Sequence, residues 1–183
     1  RRWAREAPLP APRTNLAAVA LDGKIYALGG LDPLDATRSA FVYDVRANSW
    51  GRVASLPVAL QALAAVAFHG EIWVLGGRDA SGKVSRRVWI YNPRLDRWRA
   101  GPTMPAPMET FGAAVVGNRV YAVEESKTLI YDARTSRWTR GPELRVPRHA
   151  LALFSASGRL FAIGGCTVQL ADSPVVESLA VAG

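Results

Sequence analysis

The chain has 183 residues, 49% of them hydrophobic, and carries a formal net charge of +8. That length suits one domain or one compact array, and no apolar run approaches the ~20 residues of a membrane-spanning helix. The single cysteine, Cys166, excludes an intrachain disulfide, and no Cys/His spacing suits zinc.

The chain opens Arg1-Arg2-Trp3, without Met or an apolar leader, and on that ground reads as a processed or excised piece of a longer protein. The first predicted element is one outer strand from Trp3 to Pro10. It is followed by LAAVAL from Leu16, a turn at Gly23, and IYALGG ending at Gly29-Gly30. VYD around Tyr43 and a strand starting at Trp50 complete that unit.

The second unit repeats the order with LAAVAF from Leu63, Gly70, IWVLGG, IYN around Tyr91, and Trp98. The third has FGAAVV from Phe111, Gly117-Asn118, VYAVEE, IYD around Tyr131, and Trp138. The fourth has LALFSA from Leu151, Gly158 and LFAIGG, and no tryptophan follows. The tryptophans Trp3, Trp50, Trp98 and Trp138 therefore recur at steps of 47, 48 and 40 residues. Glycine turns between β-prone runs are hairpin signals, and no stretch keeps a 3.6-residue apolar period. Four short strands per unit cannot bury both sheet faces alone, so stability must come from stacking units side by side. The alanine-rich first strands are apolar without alternation, as expected of crowded strands covered on both sides.

An apolar strand, Gly-Gly, Tyr-Asp or Tyr-Asn, and Trp seven residues after the tyrosine together resemble the kelch repeat. The resemblance covers Trp3 to about Val181 and implies an all-β, kelch-type β-propeller of four four-stranded blades. The repeats span about 14–58, 61–106, 109–147 and 149–183, with residues 1–12 an outer strand completing the last blade. Three arrangements fit: a small closed ring, part of a larger ring, or two chains sharing a ring of about eight blades.

The resemblance also implies binding through the loop entering each first strand and the loop leaving each second strand, at one end of the central channel. The entering loops supply Arg13, Asn15, Gln61, Glu109, Arg148 and His149 as candidate ligand-binding residues. The leaving loops supply Arg78, Glu124 and Glu125. In the third unit only six residues separate Glu125 from Tyr131, against thirteen and fourteen before it. The trimmed loop is expected either as simple degeneration or as an opening where both glutamates face Arg13, Arg78 and Arg148.

The commonest role implied is a scaffold for protein–protein interaction. A sugar-active enzyme of the sialic acid mutarotase-like kelch type is the alternative, with an acidic or carbohydrate ligand. A copper-radical oxidase is disfavoured, because only one cysteine exists. The charge offers a third reading, an anion or nucleic-acid binder. However, the arginines are scattered, Arg86-Arg87 is the one internal pair, and no recognition-helix or aromatic RNA-binding motif accompanies them. No serine sits in a G-x-S-x-G elbow, and neither His69 nor His149 has a partnered nucleophile in the sequence. No catalytic residue, metal site or cofactor is therefore predicted.

Overall fold

Two-residue turns fold the apolar runs into hairpins. Asp22-Gly23, His69-Gly70 and Ser157-Gly158 hold positive φ at both central residues, 49° and 72°, 51° and 73°, and 48° and 70°. That is the turn whose twist matches paired strands. The computed structural model describes residues 2–167, 169 and 171–181, and among these every regular element is a strand.

Blade 1 contains β1 (Ala17–Leu21) and β2 (Lys24–Leu28), a loop with the short β3 (Leu31–Asp32) and β4 (Asp35–Ala36), then β5 (Ala40–Asp44) and β6 (Ser49–Arg52). Blade 2 follows an entering strand, β7 (Leu60–Gln61). It comprises β8 (Ala64–Phe68), β9 (Glu71–Leu75), the short β10 (Arg78–Asp79), β11 (Val88–Asn92) and β12 (Arg97–Ala100). Blade 3 is β13 (Gly112–Val116), β14 (Arg119–Glu124), β15 (Lys127–Asp132) and β16 (Arg137–Arg140). Blade 4 has β17 (Arg148–His149) at its entrance, then β18 (Ala152–Ala156), β19 (Arg159–Ile163), the short β20 (Cys166–Thr167) and β21 (Val176–Ala180).

The main sheets are antiparallel meanders of four, four, four and three strands. Residues 2–12, expected as the outer strand of the last blade, form no strand in the single chain. They lie along blade 1 instead, where Ala7 N–H donates to Asn48 Oδ1 at 2.7 Å.

The blades stack through their inner strands in the order β1, β8, β13, β18. Blade 1 meets blade 2 around Leu28, Leu60, Ile72, Val74 and Tyr91. Blade 2 meets blade 3 around Val66, Leu75, Ile90, Met108 and Val120, and blade 3 meets blade 4 around Tyr121, Val123, Leu153 and Leu160. Each such aliphatic side chain contributes about 1.5–3 kcal/mol on burial, so the seams hold the array together.

The recurring polar residues have specific work. Asp44 Oδ1 accepts the N–H groups of Arg46 and Ala47, each at 3.0 Å, and Asn92 Oδ1 does the same for Arg94 and Leu95. These bonds close the turn into the fourth strand. The tyrosine hydroxyl then reaches the positive-φ residue of that turn: Tyr43 donates to Asn48 Oδ1 and Tyr91 to Asp96 Oδ1, both at 2.7 Å. The tryptophan latches its blade to the one before. Trp98 Nε1 donates to Ala54 O at 2.6 Å and Trp138 Nε1 to Pro102 O at 2.8 Å. Trp50 makes the same bond to Ala7 O at 2.9 Å, so residues 2–12 occupy the place a preceding blade would fill.

Candidate binding surface

The entering and leaving loops meet at one end of the blades because their backbones pair. Gln61 stands opposite Arg78 between β7 and β10, and His149 stands opposite Cys166 between β17 and β20. Asn15, Ala62, Thr110 and Ala150 take equivalent places with φ of 52–53°. A line of backbone bonds runs through them: Ala62 N to Asn15 O at 2.9 Å, Thr110 N to Ala62 O at 2.9 Å, and Ala150 N to Thr110 O at 2.7 Å.

The side chains at this end pair mainly across blades. Asn15 Nδ2 donates to Gln61 Oε1 at 3.2 Å. Arg78 forks onto Glu109, with Nε to Oε2 at 2.7 Å and a second, shorter contact from its terminal nitrogen. Glu124 Oε1 accepts the Glu109 N–H at 2.9 Å, while its other oxygen lies 3.3 Å from Lys127 Nζ. Arg13 is tied to Asp32 at 2.7 Å and to Ser39 Oγ, and its guanidinium lies over the Phe41 ring.

Arg148 is 0% exposed. Its guanidinium donates to the carbonyls of Gly164, Val146 and Ala162 and to Glu177 Oε1 at 2.6 Å. It is a strut inside blade 4, with no surface to offer a ligand. Glu124 is likewise buried, whereas Glu125 is exposed and 3.6 Å from Lys127 Nζ. The glutamate pair thus faces Lys127 and the Glu109 backbone rather than Arg13, Arg78 and Arg148.

The trimmed third loop has a local explanation. Strand pairing continues to Glu124 opposite Lys127, and Glu125-Ser126 closes a tight hairpin. In blade 2 the equivalent Gly76-Gly77 passes so close to the neighbouring entering loops that neither position has room for a side chain. A Cβ on Gly76 would collide with Met108 O, and one on Gly77 would stand 2.8 Å from Gln61 O.

Beside this end, between blades 1 and 2, lies a groove of about 850 Å³. Its walls include Val58, Val84, Trp89 and Pro107, and Lys83, Arg86 and Arg87 bring positive charge to it. Arg87 stacks on Trp89 at 5.8 Å. The one acid lining it, Asp79, already accepts from Ser81 and Lys83 N–H, and the Ser81 hydroxyl bond heads the interactions that hold its carboxyl below the usual range. The Arg86-Arg87 pair was the sequence signal for this groove, but neither arginine was among the nine candidates.

A sequence profile of the Kelch motif matches residues 12–57 and 62–105, the segments that build blades 1 and 2. The chain is a kelch-repeat β-propeller. It is 32% identical over 127 residues to beta-scruin of Limulus polyphemus, covering 66% of this chain and 14% of that protein. It is 27% identical over 133 residues to the Kelch-like protein terF of Aspergillus terreus, covering 65% of this chain and 29% of that one. The propeller chain thus spans less than a third of either relative.

Proposed function

We propose that this propeller is a protein-interaction scaffold whose loop end and adjoining cationic groove receive an acidic segment of a partner. The observation that carries the reading is the groove. It combines apolar side chains, Val58, Val84, Trp89 and Pro107 among them, with Lys83, Arg86 and Arg87, in a chain whose net charge is +8. A concave, mostly apolar site with a few convergent charges is the usual form of a recognition surface. Kelch repeats, whose commonest role is protein binding, support the same assignment. A sugar-active site would need arginine and glutamate side chains available at the mouth. Arg13, Arg78 and Arg148 are each committed to a carboxylate of the fold, which favours the scaffold.

The test uses a partner retained on the immobilised chain and identified by cross-linking mass spectrometry. Cross-links should fall on Lys83 and the loop around it. The double variant Arg86→Glu, Arg87→Glu should weaken binding at least about tenfold and flatten its salt dependence. Retention unaffected by the double variant refutes the groove as the docking site.

A further inference from the structure

Three seams between blades repeat one set of contacts, and the two ends of the array carry the unmatched halves of that set. In each seam, the residue two positions beyond Leu28, Leu75 or Val123 donates its N–H to the loop entering the next blade. Gly30 donates to Leu60 O at 2.9 Å, Gly77 to Met108 O at 2.8 Å, and Glu125 to Arg148 O at 2.9 Å. Gly165 is the next donor in this series and Arg13 O the matching acceptor. Neither the Gly165 N–H nor the Arg13 carbonyl has a backbone partner among the described residues, although Gly165 O accepts from Ser173 N at 2.9 Å. The line of bonds through Asn15, Ala62, Thr110 and Ala150 ends in the same way, with Asn15 N at one end and Ala150 O at the other.

The side chains agree. Leu28, Leu75 and Val123 hold one position in blades 1–3 and are 0%, 0% and 3% exposed, yet Ile163 at that position in blade 4 is 41% exposed. Val176 is 57% exposed, whereas Ala40, Val88 and Thr128 at its position are 3%, 1% and 5%. On the opposite flank, Ile25 of blade 1 is 37% exposed while Ile72, Val120 and Leu160 are 0%, 0% and 3%. The forward face of blade 4 is thus uncovered and the rear face of blade 1 is open at Ile25, although Ala27, Phe41 and Tyr43 on that face are buried, and among the described residues no extensive packing joins β1 to β18.

A third mismatch lies at the outer rim. Trp3 is fully exposed. It precedes Ala7 by four residues, as Trp50 precedes Ala54 and Trp98 precedes Pro102. Between blades 3 and 4 a cavity of about 230 Å³ opens beside Pro142, Leu144 and Leu179. Pro142 follows Trp138 by the same four residues. Leu179 pairs with Leu160 as Tyr43 pairs with Ile25, so it stands where the other blades place the tyrosine opposite their tryptophan. The cavity thus lies where the indole of a fourth strand would sit.

We propose that a second copy of this chain fills these places, two copies closing head-to-tail into one eight-bladed ring. Residues 2–6 of each copy run alongside β21 of the other as its fourth strand, with Trp3 in the cavity and its Nε1 donating to Pro142 O. Arg5 then stands opposite Glu177, an oppositely charged cross-strand pair. The occupant is a second copy because this chain carries both halves of the contact set that its three internal seams repeat, one on blade 4 and the other on blade 1. After four blades no extensive packing joins β18 to β1 among the described residues. A heterologous interface closes only when its rotations complete a turn, and eight blades lie within the known range.

Sedimentation velocity on the 183-residue chain should show one discrete species of twice 19.7 kDa. Trp3→Ala removes a side chain that lies in solvent in the single chain, so the far-UV dichroism should not change. Association should weaken at least about tenfold, the scale of a hot-spot tryptophan. Val176→Arg should do the same from the blade face. In a Cys166→Ser background, Ala4→Cys chains mixed with Ser178→Cys chains should oxidise to a heterodimer. Those positions match Gly51 and Val42, which pair directly. A one-chain mass for the unmodified protein overturns the proposal, whether the arc stays open or closes on its own Trp3. So does a ladder of larger masses from stacking that never closes.

Discussion

Gly77 and Gly82 offer a controlled comparison of backbone strain with and without a neighbour. Their φ angles are 88° and 83°, in the region that side-chain-bearing residues rarely adopt. Replacing either by alanine carries a strain of about 1–2 kcal/mol. At Gly82, nothing lies within 4 Å of the added Cβ, so strain is the whole effect. At Gly77 the Cβ would stand 2.8 Å from Gln61 O and 2.9 Å from Leu63 Cβ. Relief requires moving backbone, and that backbone is pinned by the bond from Gly77 N to Met108 O across the seam. Overpacking of this kind adds about 1–3 kcal/mol, for a total near 2–5 kcal/mol. Urea denaturation of both variants at one protein concentration measures the difference, which should be at least about 1 kcal/mol. Equal losses would refute the reasoning that the glycine pair is required by close approach and not by φ alone.

Arg148→Ala should cost about 3 kcal/mol in the same assay, because it strips a buried guanidinium from three carbonyls and leaves Glu177 without its cation. Arg78→Ala, whose ion pair with Glu109 is partly exposed, should cost less than about 1 kcal/mol. Thermal stability should also fall in acid. The N–H of Ala54 and the Tyr91 hydroxyl hold Asp96 below the usual carboxylate range, and Arg134 with Arg119 does so for Asp132. For Glu177, burial pushes upward but is outweighed by Arg148 and the N–H groups of Arg145 and Val146, so its carboxyl is also depressed. Depressed carboxylates contribute stability above their unfolded pKa of about 4 and lose it as pH drops through the folded value. Calorimetry should therefore show a flat melting temperature from neutral pH to about 5 and a decline below about 4. Unchanged melting across that lower window would contradict the assignment.

Much of the fold was legible because its joints use side chains with one evident purpose. A tryptophan seven residues after a tyrosine marks a fourth strand, because the two pair across β5–β6, β11–β12 and β15–β16. Gly-Gly marks the exit of a second strand, because the next blade's loop passes against it. Blade 4 was harder to read for the same reason. Its third strand, Val176–Ala180, carries Leu179 in place of tyrosine, and no tryptophan follows it in the chain. Trp3 was visible as an outer-strand residue, but its strand forms only where a third strand lies beside it, and in the single chain none does.

The loop end was legible as a place but not as a set of partners. Pairs such as Asn15 with Gln61 and Arg78 with Glu109 join residues 46 and 31 positions apart, on different blades. No local pattern announces them, because their meeting depends on how far each blade is turned from the last. That dependence also decides where the positive charge ends up. Arg13, Arg78 and Arg148 look like ligand-binding arginines in the sequence, yet the fold delivers a carboxylate to each: Glu109 reaches Arg78 across a seam, while Asp32 and Glu177 reach Arg13 and Arg148 within their own blades. Around the groove, Asp79 is held by its own loop and no other acid among the described residues lines the walls. The residues that converge on conserving the array are thus spent on it. The positive charge left over lies on the flank, where Arg86 and Arg87 border Trp89 and the apolar side chains of the groove.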